Sequence, residues 1–250
     1  MKRNLVWYGC AVAALALVPA SVRAQGVQVD PALPEYKPVQ GISGTLKSIG
    51  SDTMNNEMTL WAEGFLRFYP NVKIEIEGKG SSTAPPALIA GTAQFGPMSR
   101  PLRASEIDQF EARYGYEPTE VKVAYDALAV FVHRDNPIPH LTLAQLDAIF
   151  GKLRRRDHPE ISTWGDLGLT GDWARRPISL YGRNSASGTY GFFKERVLRN
   201  GDFKDSVKEQ PGSGSVVQGI TQDRYAIGYS GTGARTSGVR IVPLAERPGD

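Results

Sequence analysis

Three clusters of glycine and hydroxyl residues stand at points where strand-like segments give way to helical ones. They are residues 50–53 (GSDT), 78–83 (GKGSST) and 182–189 (GRNSASGT). A helix N-terminus offers unpaired backbone N–H groups and about half a positive charge. Glycine allows close approach to that backbone, hydroxyls add donors, and the planar guanidinium of Arg183 fits a tetrahedral oxyanion. The pattern therefore predicts an oxyanion-binding site.

Each cluster also has a simpler interpretation as a helix cap. Ser, Thr and Asp are preferred N-cap residues, so one cluster by itself indicates only a cap. Three clusters, with an arginine in one of them, leave the cap and the ligand site as open alternatives. In open α/β sheets the strand-to-helix turns gather at the carboxyl edge, where ligands bind. A shared site therefore requires an α/β fold that brings the three clusters to one edge.

Strand-like and helix-like segments alternate from about residue 42 onward, which predicts an α/β fold. Residues 72–76 and 121–123 alternate apolar and polar side chains, and the latter lead into the apolar run 127–132. Residues 178–181 and 239–242 are shorter strand candidates. Apolar residues at helical spacing predict helices at 54–68, 85–89, 107–114, 143–150 and 190–198. We expect the methionine and aromatic stripe of the first helix to lie in the core.

The N-terminus has the organisation of a secretory signal peptide. Lys2 and Arg3 precede an apolar run at residues 5–18, and small residues stand before Gln25. The run is shorter than the roughly 20 residues that a membrane span needs. The sequence thus predicts a signal peptide over 1–24, a flexible proline-containing leader over 25–40, and a periplasmic location.

Removal of the signal peptide changes the charge and the cysteine count. The full chain has 29 Lys+Arg and 26 Asp+Glu, and the loss of Lys2, Arg3 and Arg23 leaves 26 of each. A neutral chain argues against a nucleic-acid partner. The single cysteine, Cys10, is lost as well, so disulfides and cysteine chemistry are excluded from the exported form. No His/Asp/Glu cluster has metal-ligand spacing, and no nucleotide-binding glycine pattern occurs, so neither a metal nor a cofactor is expected.

The clusters and several further segments together resemble the periplasmic phosphate-binding proteins of bacterial phosphate ABC transporters. The resembling segments are residues 80–82, 95–101, 141–151 with Trp164, Arg183 with 187–189, and 225–229. The resemblance implies a type II periplasmic-binding-protein fold, with two α/β lobes and a ligand cleft at a hinge. It also implies that the ligand is inorganic phosphate, that an inner-membrane ABC permease is the partner, and that the chain is a monomer without catalytic residues. By position, the implied phosphate-binding residues are Ser81, Ser99, Arg183, Ser187, Gly188 and Thr189, with Asp52 and Thr53 matching more loosely.

The resemblance also predicts the domain limits and marks two departures from the family. Lobe 1 is expected over 41–125, lobe 2 over 126–235, and an incomplete return to lobe 1 over 236–250, which would leave apolar surface of lobe 1 exposed. Ser99 stands where many family members carry an aspartate that accepts the proton of hydrogen phosphate, and Ser185 replaces a second acidic residue. Our hypothesis is that Asp52 accepts the phosphate proton instead.

Three other functions stay open at this point. A relative of the same class could bind another oxyanion, namely sulfate, molybdate or tungstate. An exported serine hydrolase would need a base beside its nucleophile, and the only histidines are His133, His140 and His158. The G-x-S-x-G pattern of such enzymes is absent. A third possibility is a surface or sensor module that uses the fold for protein contacts.

Overall fold

The computed structural model describes residues 30–247. The predicted signal peptide therefore lies outside the described residues, as does the first part of the predicted leader. Residues from Val39 onward form one compact unit, and a separate unit ends at Pro38. Of that separate unit, residues 30–38 contain a turn in which the Asp30 carboxylate accepts the Ala32 N–H at 2.9 Å. Within 30–247 no helix has the length and apolar character needed to cross a membrane.

The first lobe is built on a small parallel sheet. Its elements in chain order are β1 (Gly44–Gly50), α1 (Asn55–Phe68), β2 (Val72–Gly78), α2 (Ala84–Ile89) and α3 (Ala104–Tyr114). Strands β1 and β2 pair in parallel along their full length. On the other side of β1, Ser48 forms a parallel bridge with Phe95, and the Ser51 N–H donates to the Pro97 carbonyl at 2.8 Å. The loop after residue 97 is thus brought beside the end of β1.

The apolar stripe of α1 is not the core that its spacing predicts. No residue of α1 is buried, and Trp61 and Phe68 are 47% and 48% exposed. The helix packs against β2, and α2 contacts β1. Leu60, also in this helix, is 65% exposed.

The second lobe is a larger mixed sheet with helices on both faces. Its elements are β3 (Leu128–His133), β4 (Leu141–Thr142), α4 (Leu143–Phe150), β5 (Ser179–Arg183), α5 (Gly188–Arg196), β6 (Lys208–Gln210), α6 (Ser213–Gln222), β7 (Ala226–Gly231), β8 (Val239–Ile241) and β9 (Leu244–Ala245). Five strands form the sheet in the order β6-β5-β7-β3-β8, and β4 pairs with β9 separately. Strand β5 is parallel to both β6 and β7, whereas β3 runs antiparallel to its neighbours.

Alternate side chains of β3 enter two separate cores. Val130 and Val132 lie in a cluster with residues of α4, α5 and the buried Trp164. Ala129 and Phe131 lie in a second cluster with residues of α6. Because side chains alternate across a strand, burial on both faces explains why this run is continuously apolar. The sheet is therefore packed on both faces, and this packing holds the strand ends from which the loops start.

Two sequence predictions about this region differ from the structure. Residues 121–127 form no strand and are exposed, and the strand begins only at Leu128. A strand needs a hydrogen-bonding neighbour, and among the described residues none pairs with this segment. The expected return to lobe 1 over 236–250 is not seen in its described part either. There, β8 pairs with β3 and β9 pairs with β4, so the segment extends lobe 2.

Candidate anion-binding site

The three glycine and hydroxyl clusters all lie at the carboxyl ends of parallel strands. Strand β1 ends in a 3-10 turn over Asp52–Met54, and β2 ends in a similar turn over Ser81–Thr83. Strand β5 ends at Arg183, and α5 begins at Gly188 with Ser187 as its N-cap. The two lobes face each other through these turns, as the requirement of a shared edge predicted.

Four hydroxyl groups of lobe 1 form one cluster, in which three bond to one another and the fourth bonds to the backbone of Ser99. The Oγ atoms of Ser51 and Ser99 lie 2.7 Å apart, and the Thr53 Oγ1 lies 2.8 Å from the first and 2.9 Å from the second. The Ser81 Oγ accepts the Ser99 N–H at 3.0 Å. Hydroxyl hydrogens rotate, so these groups can offer donors or acceptors to a ligand oxygen.

The loops of the two lobes touch where glycine leaves room. A Cβ at Gly188 would lie 2.8 Å from the Ser81 Oγ, and one at Gly80 would lie 2.6 Å from the Ala186 carbonyl oxygen. The Ser82 N–H donates to that carbonyl at 3.0 Å across the lobes. Gly80 has φ +110°, a backbone conformation that residues other than glycine rarely adopt. Both glycines are therefore needed for the close approach.

Arg183 is the only fully buried charged side chain at this contact within the described chain, with 0% exposure. Its Nη2 donates to the Asp52 Oδ1 at 2.5 Å and to the Pro211 carbonyl at 3.1 Å. Its Nη1 donates to the Ser213 Oγ at 3.0 Å. A buried guanidinium requires such a counter-charge, because transfer of an unpaired ion from water is very unfavourable.

Two donors at this contact are buried and have no hydrogen-bond partner among the described residues. They are the Nε of Arg183 and the Oγ1 of Thr189. Thr189 lies in the first turn of α5, and its N–H donates to the Ser187 Oγ at 3.1 Å. An unsatisfied buried polar group is costly, by about 1–3 kcal/mol, so each such group calls for an explanation. Both donors are therefore free to bind a ligand oxygen.

All eight residues predicted for the site fall in this one contact region, through direct contacts or as neighbours in the chain. They are Asp52, Thr53, Ser81, Ser99, Arg183, Ser187, Gly188 and Thr189. Their proximity follows from the fold, whereas their role in phosphate binding stays a prediction.

One part of the region was missed from the sequence, namely the start of α6. The Ser213 N–H and Oγ donate to the Asp52 Oδ2 at 3.0 and 3.3 Å. The signal was present in residues 211–215 (PGSGS), a glycine and serine cluster of the same kind that precedes the apolar positions Val216 and Val217. The missing information was the short strand β6, whose polar residues give little strand signal.

Two titratable groups beside the region have raised pKa values. Asp126 is exposed as a residue, but partial desolvation of its carboxyl group raises the pKa, and the nearby charges of Glu57 and Asp52 raise it further. Burial also raises the pKa of Tyr229, whose hydroxyl accepts the Arg183 backbone N–H at 3.4 Å. The tyrosine therefore stays neutral at physiological pH.

Neither metal binding nor a catalytic serine finds support in the described residues. No group of three or more His, Cys, Asp or Glu residues there could hold a metal ion. The Ser187 Oγ caps α5, and the Ser230 Oγ donates to the Ser213 carbonyl at 3.3 Å. His133 instead lies beside Asp135, with 3.7 Å between ring nitrogen and carboxylate.

Two α/β lobes that meet through hydroxyl-rich strand ends and a buried arginine define a solute-binding protein of the periplasmic type. The family model of the PBP superfamily domain matches residues 37–242. The phosphate-binding protein PstS of Pseudomonas aeruginosa is 56% identical over 241 residues, which cover 95% of this chain and 75% of that protein. The chain therefore belongs to the phosphate-binding protein family of the PBP superfamily.

Solved structures agree with this assignment. A substrate-binding protein of Clostridium perfringens with bound phosphate is similar with a TM-score of 0.68 and 28% identity, over 81% of this chain and 76% of that one. An ABC-type phosphate transport receptor from Vibrio cholerae has a TM-score of 0.58 and 21% identity, over 80% and 76% of the two chains. The predicted type II periplasmic-binding-protein fold is thereby confirmed.

Proposed function

We propose that this protein captures inorganic phosphate between its lobes in the periplasm and delivers it to an ABC permease in the inner membrane. The observation that carries the proposal is the pair of buried donors without partners, Arg183 Nε and Thr189 Oγ1, at the contact between the lobes. The similarity to phosphate-binding proteins supports phosphate as the ligand. We propose a monomer, because the site takes residues of both lobes of one chain.

The proposed mechanism is closure of the lobes around the anion. Phosphate oxygens receive donors from Arg183, Thr189 and the lobe 1 hydroxyl cluster, so the ligand bonds to both lobes only when they are together. A ligand that binds the closed form more tightly shifts the population toward it. The permease then recognises the closed form. No bond is made or broken in this mechanism.

The test is calorimetric titration of residues 25–250 with phosphate and then with sulfate. We expect phosphate binding in the micromolar range or tighter, about −8 kcal/mol or below, and no response to sulfate. Molybdate and tungstate are titrated in parallel, because preferential binding of any of these anions would replace phosphate in the proposal. Labelling of Ser187 or Ser230 by a fluorophosphonate would instead favour the hydrolase.

Arg183→Ala is the decisive variant. It removes a central donor and leaves Asp52 without its counter-ion, which typically costs about 2–5 kcal/mol, or roughly 30- to 5,000-fold in Kd. The matched control is Arg134→Ala, since the Arg134 side chain is 65% exposed and lies near Asp135. An unchanged Kd in a folded Arg183→Ala protein would remove the arginine from the site.

A further inference from the structure

We infer that Asp52 is a positioning residue, which orients the Arg183 guanidinium from the opposite lobe and couples that orientation to lobe closure. The inference rests on the proposed function, since the guanidinium is oriented toward a phosphate ligand. Asp52 belongs to the turn at the end of β1 in lobe 1. The hydrogen bonds of its carboxylate go to lobe 2, with Oδ1 on Arg183 and Oδ2 on Ser213.

The contacts of the guanidinium determine which donor remains for a ligand. Nη2 is held by Asp52 and the Pro211 carbonyl, and Nη1 is held by Ser213. With both terminal nitrogens fixed on one side, the plane of the group is set, and Nε is the buried nitrogen left without a partner in the described structure. Removal of the Asp52 contact would free the guanidinium to rotate away from that orientation.

The charge of Asp52 is matched at two points of lobe 2. Arg183 and Asp52 form the ion pair at this contact, with side chains 0% and 12% exposed. The other carboxylate oxygen receives the N–H of Ser213, the first residue of α6, where the helix dipole favours an anion. Lobe 2 thus offers two positively charged groups, the Arg183 guanidinium and the N-terminus of α6, and one carboxylate of lobe 1 binds both. That pairing is made only when the lobes are together.

This role differs from proton acceptance by Asp52, and the two can be separated. A carboxylate has about four acceptor positions, and three hydrogen bonds already go to lobe 2. An acceptor acts only on a protonated anion, so its loss would leave the protein without ligand unchanged. A positioning residue acts before any ligand is bound, so its loss alters the protein without ligand.

The experiment compares Asp52→Asn with the wild type and with Asp126→Asn. The control removes a neighbouring carboxylate that bonds to the backbone of Ala127, whereas the Arg183 guanidinium bonds to Asp52, Pro211 and Ser213. Each protein is dialysed free of phosphate, and its radius of gyration is measured by small-angle X-ray scattering before and after addition of phosphate. The Nε–H resonance of Arg183 is followed by NMR, and Kd for phosphate is measured by calorimetry.

We expect Asp52→Asn without phosphate to have a larger radius of gyration and a shifted or broadened Arg183 Nε–H resonance. Its Kd for phosphate should rise on the order of tenfold or more. Asp126→Asn should match the wild type in all three measurements. Asp52→Glu, which keeps the charge at a different reach, should restore the radius of gyration more than the Kd.

Opposite results would overturn the inference. If Asp52→Asn matches the wild type in scattering and in the Arg183 resonance but binds phosphate more weakly, Asp52 is an acceptor and not a positioning residue. If the wild type fails to bind phosphate but Asp52→Asn still expands the protein, the proposed function fails while the coupling by Asp52 stands. Should Asp52→Asn not fold, Ser213→Ala provides the second variant. It removes one of the three hydrogen bonds of the Asp52 carboxylate and the bond to Arg183 Nη1, so it should shift the Arg183 resonance while the ion pair is kept.

Discussion

Replacement of Gly188 by alanine should weaken phosphate binding by holding the two lobes apart. The added Cβ would lie 2.8 Å from the Ser81 Oγ, 2.9 Å from the Ser99 Cβ and 3.3 Å from the Ser99 carbonyl carbon. Carbon atoms in contact prefer about 3.5–4.0 Å. The Ser81 hydroxyl is buried and accepts the Ser99 N–H, so it cannot turn aside without losing that hydrogen bond.

The size of the effect follows from where the overlap occurs. Overpacking of a well-filled contact costs about 1–3 kcal/mol, which corresponds to roughly 5- to 150-fold in Kd. The cost applies to the closed form alone, because Gly188 belongs to lobe 2 and its neighbours belong to lobe 1. In the open form this overlap is absent, and alanine is compatible with the first position of α5. Without phosphate, the variant should therefore shift toward the open form, as expected for Asp52→Asn, rather than unfold.

Calorimetry gives the Kd, and thermal melting with and without phosphate gives the ligand-induced shift. Gly191→Ala is the matched control, because it lies in the same helix and its Cβ would have nothing within 4 Å. The control should bind phosphate as the wild type does. A tenfold change in Kd corresponds to about 1.4 kcal/mol. If the Kd of Gly188→Ala stays within about twofold of the wild-type value, the close approach of the lobes at this glycine is refuted.

Two further variants test the groups around the site. Thr189→Val removes a buried hydroxyl that has no partner in the described structure. The Kd for phosphate should therefore rise about tenfold or more, while stability without ligand is maintained. An unchanged Kd would exclude Thr189 from the binding site. Glu106 forms a two-point ion pair with Arg100, next to Ser99, and this hydrogen bonding lowers the pKa of Glu106. A lowered carboxyl pKa stabilises the fold above the unfolded value of about 4.3 and loses this effect as the pH falls. Glu106→Gln should therefore melt a few degrees lower at pH 7. The difference should shrink as the pH falls from about 4.3 toward the lowered pKa of Glu106, and a difference that stays constant in acid would contradict the ion pair as its cause.

Elements with strong local signals were predictable from the sequence. Thr142 and Gln145 form the capping box that starts α4, with the Gln145 N–H donating to the Thr142 Oγ1 at 3.2 Å. Residues 72–76 lie within β2 as their alternation predicted. In each case the information is held within a few residues, because the cap and the alternation are properties of the local chain.

Elements that depend on distant partners were not predictable in this way. Residues 121–123 alternate like a strand, yet their exposure shows that alternation alone does not supply a neighbouring strand. The apolar stripe of α1 likewise specifies a face to be buried but not what covers it. The contact between Asp52 and Arg183 joins positions 131 residues apart. The sequence pattern placed both residues in anion-binding loops, but only the fold shows that they bind each other.

The structure separates hydroxyls that cap a helix from those that do not, at the clusters where the sequence left both interpretations open. A capping hydroxyl accepts an N–H of its own helix, as Thr142 does at α4 and Ser187 does at α5. The turns that begin at Asp52 and Ser81 have no side-chain cap of this kind. Their hydroxyls instead bond between loops, where the Ser51 Oγ and the Ser81 Oγ both contact Ser99. These hydroxyl groups do not cap their own helices, so they stay available to a ligand, as the proposed phosphate site requires.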